Sequence, residues 1–274
     1  MNIYYLGPKG TFSEQALIFY INQKRGYCIK ELKTIPDIIT MLCINKDDEG
    51  LVPIENSIEG TVNVTLDMLI NDAEGLKIKR EIVIPISHCL IADKSLDFDE
   101  IKVIISHPQA LAQCRDYIRR NLPNAEIITA DSTAKAVSEI KNKANAAAIG
   151  NARAAEIYGA QIIDRDIQDV KNNFTRFIVL ASNDCEYTGY DKTSIIFSVP
   201  NEPGSLYKIL EVFARENVNM TKIESRPSRK KMGEYVFWVD IEGHRCDNRI
   251  NKILGVLMGK TEFLKVLGSY PKYM

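Results

Sequence analysis

The sequence predicts an α/β protein made of two α/β lobes with a cleft between them, followed by a small α+β module of ferredoxin-like (βαββαβ) order. Three observations predict it. The chain has 274 residues, more than one hydrophobic core usually organises, which suggests two domains. Up to about residue 180, short apolar runs alternate with amphipathic helical segments, the βα alternation of an α/β domain. A polar, glycine-containing stretch at 183–192 then reads as a linker, and beyond it the order becomes strand, helix, strand, strand, helix, strand. The expected domains are 1–182 and 193–274.

Each element has its own signal. The first lobe opens with a strand at 3–6 and a helix over 13–23. A strand at 50–54 follows, then a helix over 62–70 with Val62, Leu66, Leu69 and Ile70 on its apolar face. The second set has strands at 82–90, 102–105, 126–129 and 146–149. Its helices begin at Pro108 and at Ser132, and a third is closed by Gly159. A polar run at 164–171 leads to a strand at 178–181. The small module reads as strand 193–199, helix 205–216, strands 219–225 and 234–241, helix 248–258 and strand 263–267. Neither an internal repeat nor a low-complexity segment interrupts this order.

Composition narrows the function classes. Hydrophobic residues make up 45%, as in an ordinary globular protein, so disorder is not expected. Lys+Arg 35 against Asp+Glu 36 leaves a net charge of -1, and the basic residues are scattered except for Arg229-Lys230-Lys231, which argues against a nucleic-acid partner. No run is apolar for long enough to span a bilayer, and the opening Met-Asn-Ile-Tyr-Tyr-Leu-Gly-Pro lacks the basic start and apolar run of a signal peptide. Cys28, Cys43, Cys89, Cys114, Cys185 and Cys246 stand singly beside only three histidines. Reduced thiols, a cytoplasmic location and no zinc site are therefore expected.

The stretch Asn172-Asn173-Phe174-Thr175-Arg176-Phe177 carries the chemistry. Thr175 and Arg176 are expected at a loop-to-strand junction, where side chains meet ligands. A hydroxyl beside a guanidinium offers a group that can meet a reacting oxygen and a cation that can grip a carboxylate by two contacts, or else a β-branched residue and a solvated arginine that open a strand. In Gly7-Pro8-Lys9-Gly10-Thr11-Phe12-Ser13-Glu14, Thr11 and Glu14 have capping-box spacing; the segment is either an anion site or a well-capped turn. Pro53-Ile54-Glu55-Asn56-Ser57-Ile58-Glu59-Gly60 follows a strand end, and Asn56 is its best ligand candidate. In Ser106-His107-Pro108-Gln109-Ala110-Leu111-Ala112-Gln113, Ser106 or His107 caps a helix. Leu111, Cys114 and Ile118 share one face of it, and Gln109 and Gln113 the other. His107 reads as a turn residue more readily than as a general base. In the small module, Asn201-Glu202-Pro203-Gly204-Ser205-Leu206 turns tightly into a helix and Glu224-Ser225-Arg226-Pro227 ends a strand; together they either punctuate the fold or hold a zwitterion.

Taken in order, GPKGTFSE, PIENSIEG, SHPQALAQC, DSTAKA, AAIGNARAAEIYG and NNFTRF resemble the prephenate dehydratases, and NEPGSL with ESRP resembles the ACT regulatory domain fused to them. The likeness covers roughly residues 3–181 and 193–270. It implies a periplasmic-binding-protein-like two-lobed catalytic domain that converts prephenate to phenylpyruvate for phenylalanine synthesis, with no cofactor. It places the catalytic threonine on Thr175 and its arginine on Arg176. Glu55, Asn56, Ser106 and Gln113 are implicated beside them, with Thr11, Ser13, Gln109 and Phe177 as substrate contacts. The ACT resemblance implies that L-phenylalanine binds between modules of neighbouring subunits at Asn201, Gly204, Ser205, Leu206, Glu224, Ser225, Arg226 and Pro227, in a homodimer or homotetramer. An exported solute-binding protein, an amino-acid sensor and an arogenate-consuming enzyme are the rival readings.

Overall fold

The computed structural model describes residues 1–22, 26–141, 143–229 and 232–273. Gln23, expected to end the first helix, and Lys230 and Lys231 of the basic run lie outside them. The chain begins with β1 (Asn2–Leu6), α1 (Phe12–Ile21), β2 (Cys28–Leu32), α2 (Ile35–Ile44), β3 (Glu49–Asn56), β4 (Gly60–Thr61), α3 (Asn63–Asn71) and β5 (Lys77–Pro85). It continues with β6 (Cys89–Ala92), β7 (Val103–Ser106), α4 (Pro108–Gln113), α5 (Arg115–Asn121), β8 (Glu126–Thr129), α6 (Thr133–Glu139), β9 (Ala146–Gly150), α7 (Ala152–Tyr158), β10 (Gln161–Asp164) and β11 (Phe174–Ala181). The last elements are β12 (Asp191–Ser198), α8 (Ser205–Arg215), β13 (Met220–Pro227), β14 (Tyr235–Glu242), α9 (Asn248–Met258) and β15 (Phe263–Pro271).

These strands form three sheets. One has the order β2-β1-β3-β11-β5, with β4 pairing β3; the second runs β10-β6-β9-β7-β8; the third runs β13-β14-β12-β15. By contact the chain falls into two compact units, Met1–Ile38 with Leu51–Thr65 and Ile82–Phe177, and Ile39–Gly50 with Leu66–Glu81 and Ile178–Met274.

The second sheet shows why its strands read as continuous apolar runs. Leu90, Ile104, Ala147 and Ile149 pack with Leu111 of α4, Ile118 of α5 and Cys114 between the two helices. Their chain neighbours Ile91, Ile105 and Ala148 pack on the opposite face with Ala134, Val137 and Ala154 from α6 and α7. Successive side chains alternate across a strand, so a sheet covered on both faces needs apolar residues at every position. The third sheet is antiparallel, β14 between β13 and β12 and β15 beyond, with Ile195, Phe197, Val239 and Ile241 meeting Ile209 and Phe213 of α8 and Ile250 and Ile253 of α9. This is the ferredoxin-like order expected of the C-terminal residues.

Several expectations change. The strand expected at 82–90 is two strands in different sheets: after Pro85 the Ile86 N–H bonds the Asn173 carbonyl at 2.8 Å and the His88 N–H bonds the Gln168 side chain at 2.9 Å, which carries the chain across to β6. The helix from Pro108 breaks at Cys114, whose φ of -115° is not helical, into α4 and α5. Thr175 and Arg176 are not at a junction but are already the second and third residues of β11. β2, α2, β4 and β10 had no expectation. β2 is largely exposed and α2 carries a proline in its first turn, so neither shows a clean period.

Candidate active site

The chain passes between the first two sheets twice, at 86–88 and at 165–173, and these crossings are tied to each other. Besides the Ile86–Asn173 bond, the Ile167 N–H bonds the His88 carbonyl at 3.0 Å and the Ser87 hydroxyl donates to Asp166 at 2.6 Å. A cavity of about 270 Å³ opens beside them. Ser13, Asn56, Gln109, Gln113, Thr175 and Phe177, all expected from the sequence, line it, together with Phe12, His88, His107 and Thr133.

Asn56 ends β3 and is buried. Its Oδ1 accepts from the N–H groups of Ile58 and Glu59, each at 3.0 Å, so its Nδ2 must face the other way. The two hydrogens of that nitrogen are shared among three acceptors, the Thr175 Oγ1 at 2.9 Å, the Asn173 Oδ1 at 2.7 Å and the Phe174 carbonyl at 3.1 Å. The Thr175 oxygen is thus an acceptor toward Asn56, and its own proton is left to point elsewhere. Thr175 and Phe177 share one face of β11 and both line the cavity, so on that face the hydroxyl can donate a hydrogen bond into the cavity.

Gln113 lies across the cavity from β3 on α4. Its Oε1 accepts from Asn173 Nδ2 at 2.9 Å and lies 3.0 Å from His88 Nε2, while its Nε2 makes a long 3.5 Å contact to the Glu59 carboxylate. His88 is 2% exposed, and burial pushes its imidazole below the ordinary histidine pKa, opposed by the Gln113 bond. His107 is the cap of α4: its Nδ1 accepts from the Gln109 N–H at 3.2 Å, and burial lowers its pKa as well.

The remaining expected residues lie off the cavity wall. Ser106 does not cap α4; fully buried, it donates to the Ile149 carbonyl at 2.6 Å and ties β7 to β9. Thr11 caps α1 by accepting from the Glu14 N–H at 3.3 Å, while the Glu14 carboxylate reaches back to the Gly10 N–H at 2.7 Å, one residue beyond the capping-box position. Arg176, between Thr175 and Phe177, points to the other face of β11 and meets Glu55, which precedes Asn56 on β3, at 3.5 Å. Asn173 belongs to the NNFTRF stretch, although no separate role was expected of it; His88 carried no sequence signal, because it sits on a crossing segment, where no periodic pattern exists.

In the C-terminal module, Asn201, Ser205 and Leu206 line a second cavity of about 130 Å³ with Tyr235 and Phe237. Gly204 caps α8 at φ +80°, a conformation that favours glycine. Ser225 stands opposite Phe237 and Pro227 opposite Tyr235 in the β13–β14 register, on the same face as that cavity. Glu224 and Arg226 face the other way: Glu224 meets Lys222 at 3.1 Å, and Arg226 grips Asp67 with two nitrogens, the Nη2 contact at 2.7 Å. Among the described residues there is no cluster of metal-binding side chains, and no helix is long and apolar enough to cross a membrane.

A family model described as prephenate dehydratase matches residues 3–185, and one described as ACT domain matches residues 193–255. The chain is 47% identical over 273 residues to a bifunctional chorismate mutase/prephenate dehydratase of Aquifex aeolicus, covering 99% of this chain and 74% of that protein. It is 40% identical over 277 residues to a prephenate dehydratase of Methanocaldococcus jannaschii, covering 99% and 98%. A crystal structure of prephenate dehydratase from Arthrobacter aurescens in complex with L-Phe matches with a TM-score of 0.89 at 34% identity, covering 99% of this chain and 90% of that one. The chain belongs to the prephenate dehydratase family, with an ACT domain following its catalytic part.

Proposed function

We propose that this protein converts prephenate to phenylpyruvate and that L-phenylalanine, bound to its ACT domain, restrains it. The observation that carries the reading is the Asn56 amide donating to the Thr175 hydroxyl, which turns the Thr175 proton toward a cavity of substrate size. In the reaction the bond between the ring and its carboxylate breaks and its electrons enter the ring. The ring hydroxyl then departs as hydroxide and takes one proton from solvent to become water, so prephenate and a proton give phenylpyruvate, CO2 and water. Aromatisation drives the step, and the protein must chiefly hold a dicarboxylate in the reactive geometry and support the departing oxygen. Thr175 is assigned that support. Because a threonine hydroxyl is a weak acid, its help is a hydrogen bond that strengthens as charge develops rather than complete proton transfer.

Ser13 at the N-terminus of α1, with Gln109, is assigned to bind the substrate, where the positive end of the helix favours a carboxylate, and Gln113 to orient the ring in the reactive geometry. Thr11 acts through the cap that sets this helix end, and Ser106 through the strand it ties. Glu55 and Arg176 form the ion pair behind Asn56 and Thr175 and keep the two strand ends together. We assign residues 1–182 to catalysis and 193–274 to regulation, with the effector at the cavity beside Gly204 and Ser225. A cytoplasmic location fits the free state of all six cysteines. A homodimer or homotetramer fits the exposed edge strand β13, where Ile223 is 47% exposed. The test is direct: purified protein supplied with prephenate alone should release phenylpyruvate and CO2 in equal amounts, and L-phenylalanine should slow it. No product from prephenate would reject the reading.

A further inference from the structure

One buried group in the cavity wall has no part in the scheme above. His88 lines the cavity, is 2% exposed, and meets the edge of Phe12 with ring centroids 5.5 Å apart and planes at 84°. Its backbone is fixed on both sides by the bonds to Gln168 and Ile167, so the ring has a defined place.

The hydrogen-bond chain determines where its proton sits. A carboxylate only accepts, so the Gln113 end that faces Glu59 is the NH2 group and the opposite end is the carbonyl oxygen. The Asn173 assignment agrees: its Oδ1 accepts from Asn56, leaving its Nδ2 to donate to the Gln113 oxygen. An amide oxygen cannot donate, so His88 Nε2, 3.0 Å from it, must carry the hydrogen. His88 Nδ1 is buried with no hydrogen-bond partner among the described residues. A second proton there would leave a buried cation with an unmet donor, which is costly in an apolar site. Burial lowers the His88 pKa in the same sense.

We propose that His88, held as the neutral Nε2–H tautomer, is a positioning residue of the reaction centre that fixes the Gln113 side chain with its NH2 group toward the substrate. Asn173 alone offers one donor to the Gln113 oxygen; His88 supplies the second, and with both in place an amide flip would set two donors against an NH2 group. This role rests on the proposed function, since it concerns how Gln113 meets prephenate.

The experiment combines kinetics with ring-nitrogen NMR on the full-length protein. His88→Leu should lower kcat about tenfold, the effect of one lost hydrogen bond, with KM within about twofold. His88→Gln, whose amide can place a donor near the same point, should recover most of the loss. In a Gln113→Ala background, His88→Leu should cost less than about twofold more, because residues that act through one another are not additive. The wild-type His88 ring should show a protonated Nε2 and a bare Nδ1 at neutral pH. Additive losses in the double variant, a wild-type kcat in folded His88→Leu, or a protonated Nδ1 would each overturn the proposal. Absence of turnover in the wild type would instead reject the functional reading, and the tautomer measurement would still decide the hydrogen-bond assignment.

Discussion

The Asn56 amide donates to the Thr175 hydroxyl oxygen across 2.9 Å, and because the Asn56 oxygen is occupied by the Ile58 and Glu59 N–H groups the direction of that bond cannot reverse. Asn56→Asp keeps the shape and the two N–H bonds but replaces the donor with an acceptor. The Thr175 proton would then turn to the carboxylate and away from the substrate. We expect kcat to fall by about a hundredfold, the scale of lost acid assistance, with an unchanged circular-dichroism spectrum. A near-normal kcat would separate Asn56 from the proton's direction.

Arg176 gives a different expectation. Its partner is Glu55 on the face of β11 turned from the cavity. Arg176→Lys keeps the charge and loses the planar fork, so it should reduce stability by about 1–3 kcal/mol in chemical denaturation while KM stays within about twofold. A tenfold rise in KM at unchanged stability would place Arg176 on a substrate carboxylate.

Much of this was legible in the sequence, for physical reasons. The buried strands and the amphipathic helices announce themselves by period, and all six elements of the C-terminal module were read within a few residues of their observed positions; α9 at 248–258 agrees at both ends. Thr175 and Asn56 stand out in the sequence as polar groups near strand ends and Gln113 as part of the polar face of a helix, and all three line the cavity. The crossings at 86–88 and 165–173 were not, since a segment leaving one sheet for another has no periodicity; His88 was missed with them, and Asn173 stood out only as part of the NNFTRF stretch. The opposed faces of Thr175 and Arg176 required knowing that both lie within the strand.

The ion pair at Asp67 predicts a pH dependence. Its hydrogen bond to Arg226, with the charges of Arg226 and Arg229, holds the Asp67 carboxyl below its ordinary range despite an opposing desolvation effect. A depressed folded-state pKa stabilises the protein above the ordinary aspartate value, and that stabilisation is lost as pH falls through the folded value. Wild type should therefore exceed Asp67→Asn in denaturant stability at neutral pH, with the difference shrinking through the acid range. A difference independent of pH would contradict the pairing.

Gly204 caps α8 at φ +80°, where a β-branched side chain is strained. Gly204→Val should disturb the turn that carries Asn201 and Ser205 while sparing the catalytic cavity. The variant should turn over prephenate and resist L-phenylalanine in an inhibition titration. Full inhibition would move the effector to another site.

The central claim is that the Thr175 hydroxyl assists the departing ring hydroxyl, and a comparison of steady-state turnover of prephenate by Thr175→Ser and Thr175→Ala tests it most directly. Serine keeps the hydroxyl and should retain turnover within about tenfold of wild type, whereas alanine should lower kcat by at least about a hundredfold with KM little changed. Equal kcat values for the two variants, or a near-normal kcat for Thr175→Ala, would contradict the account.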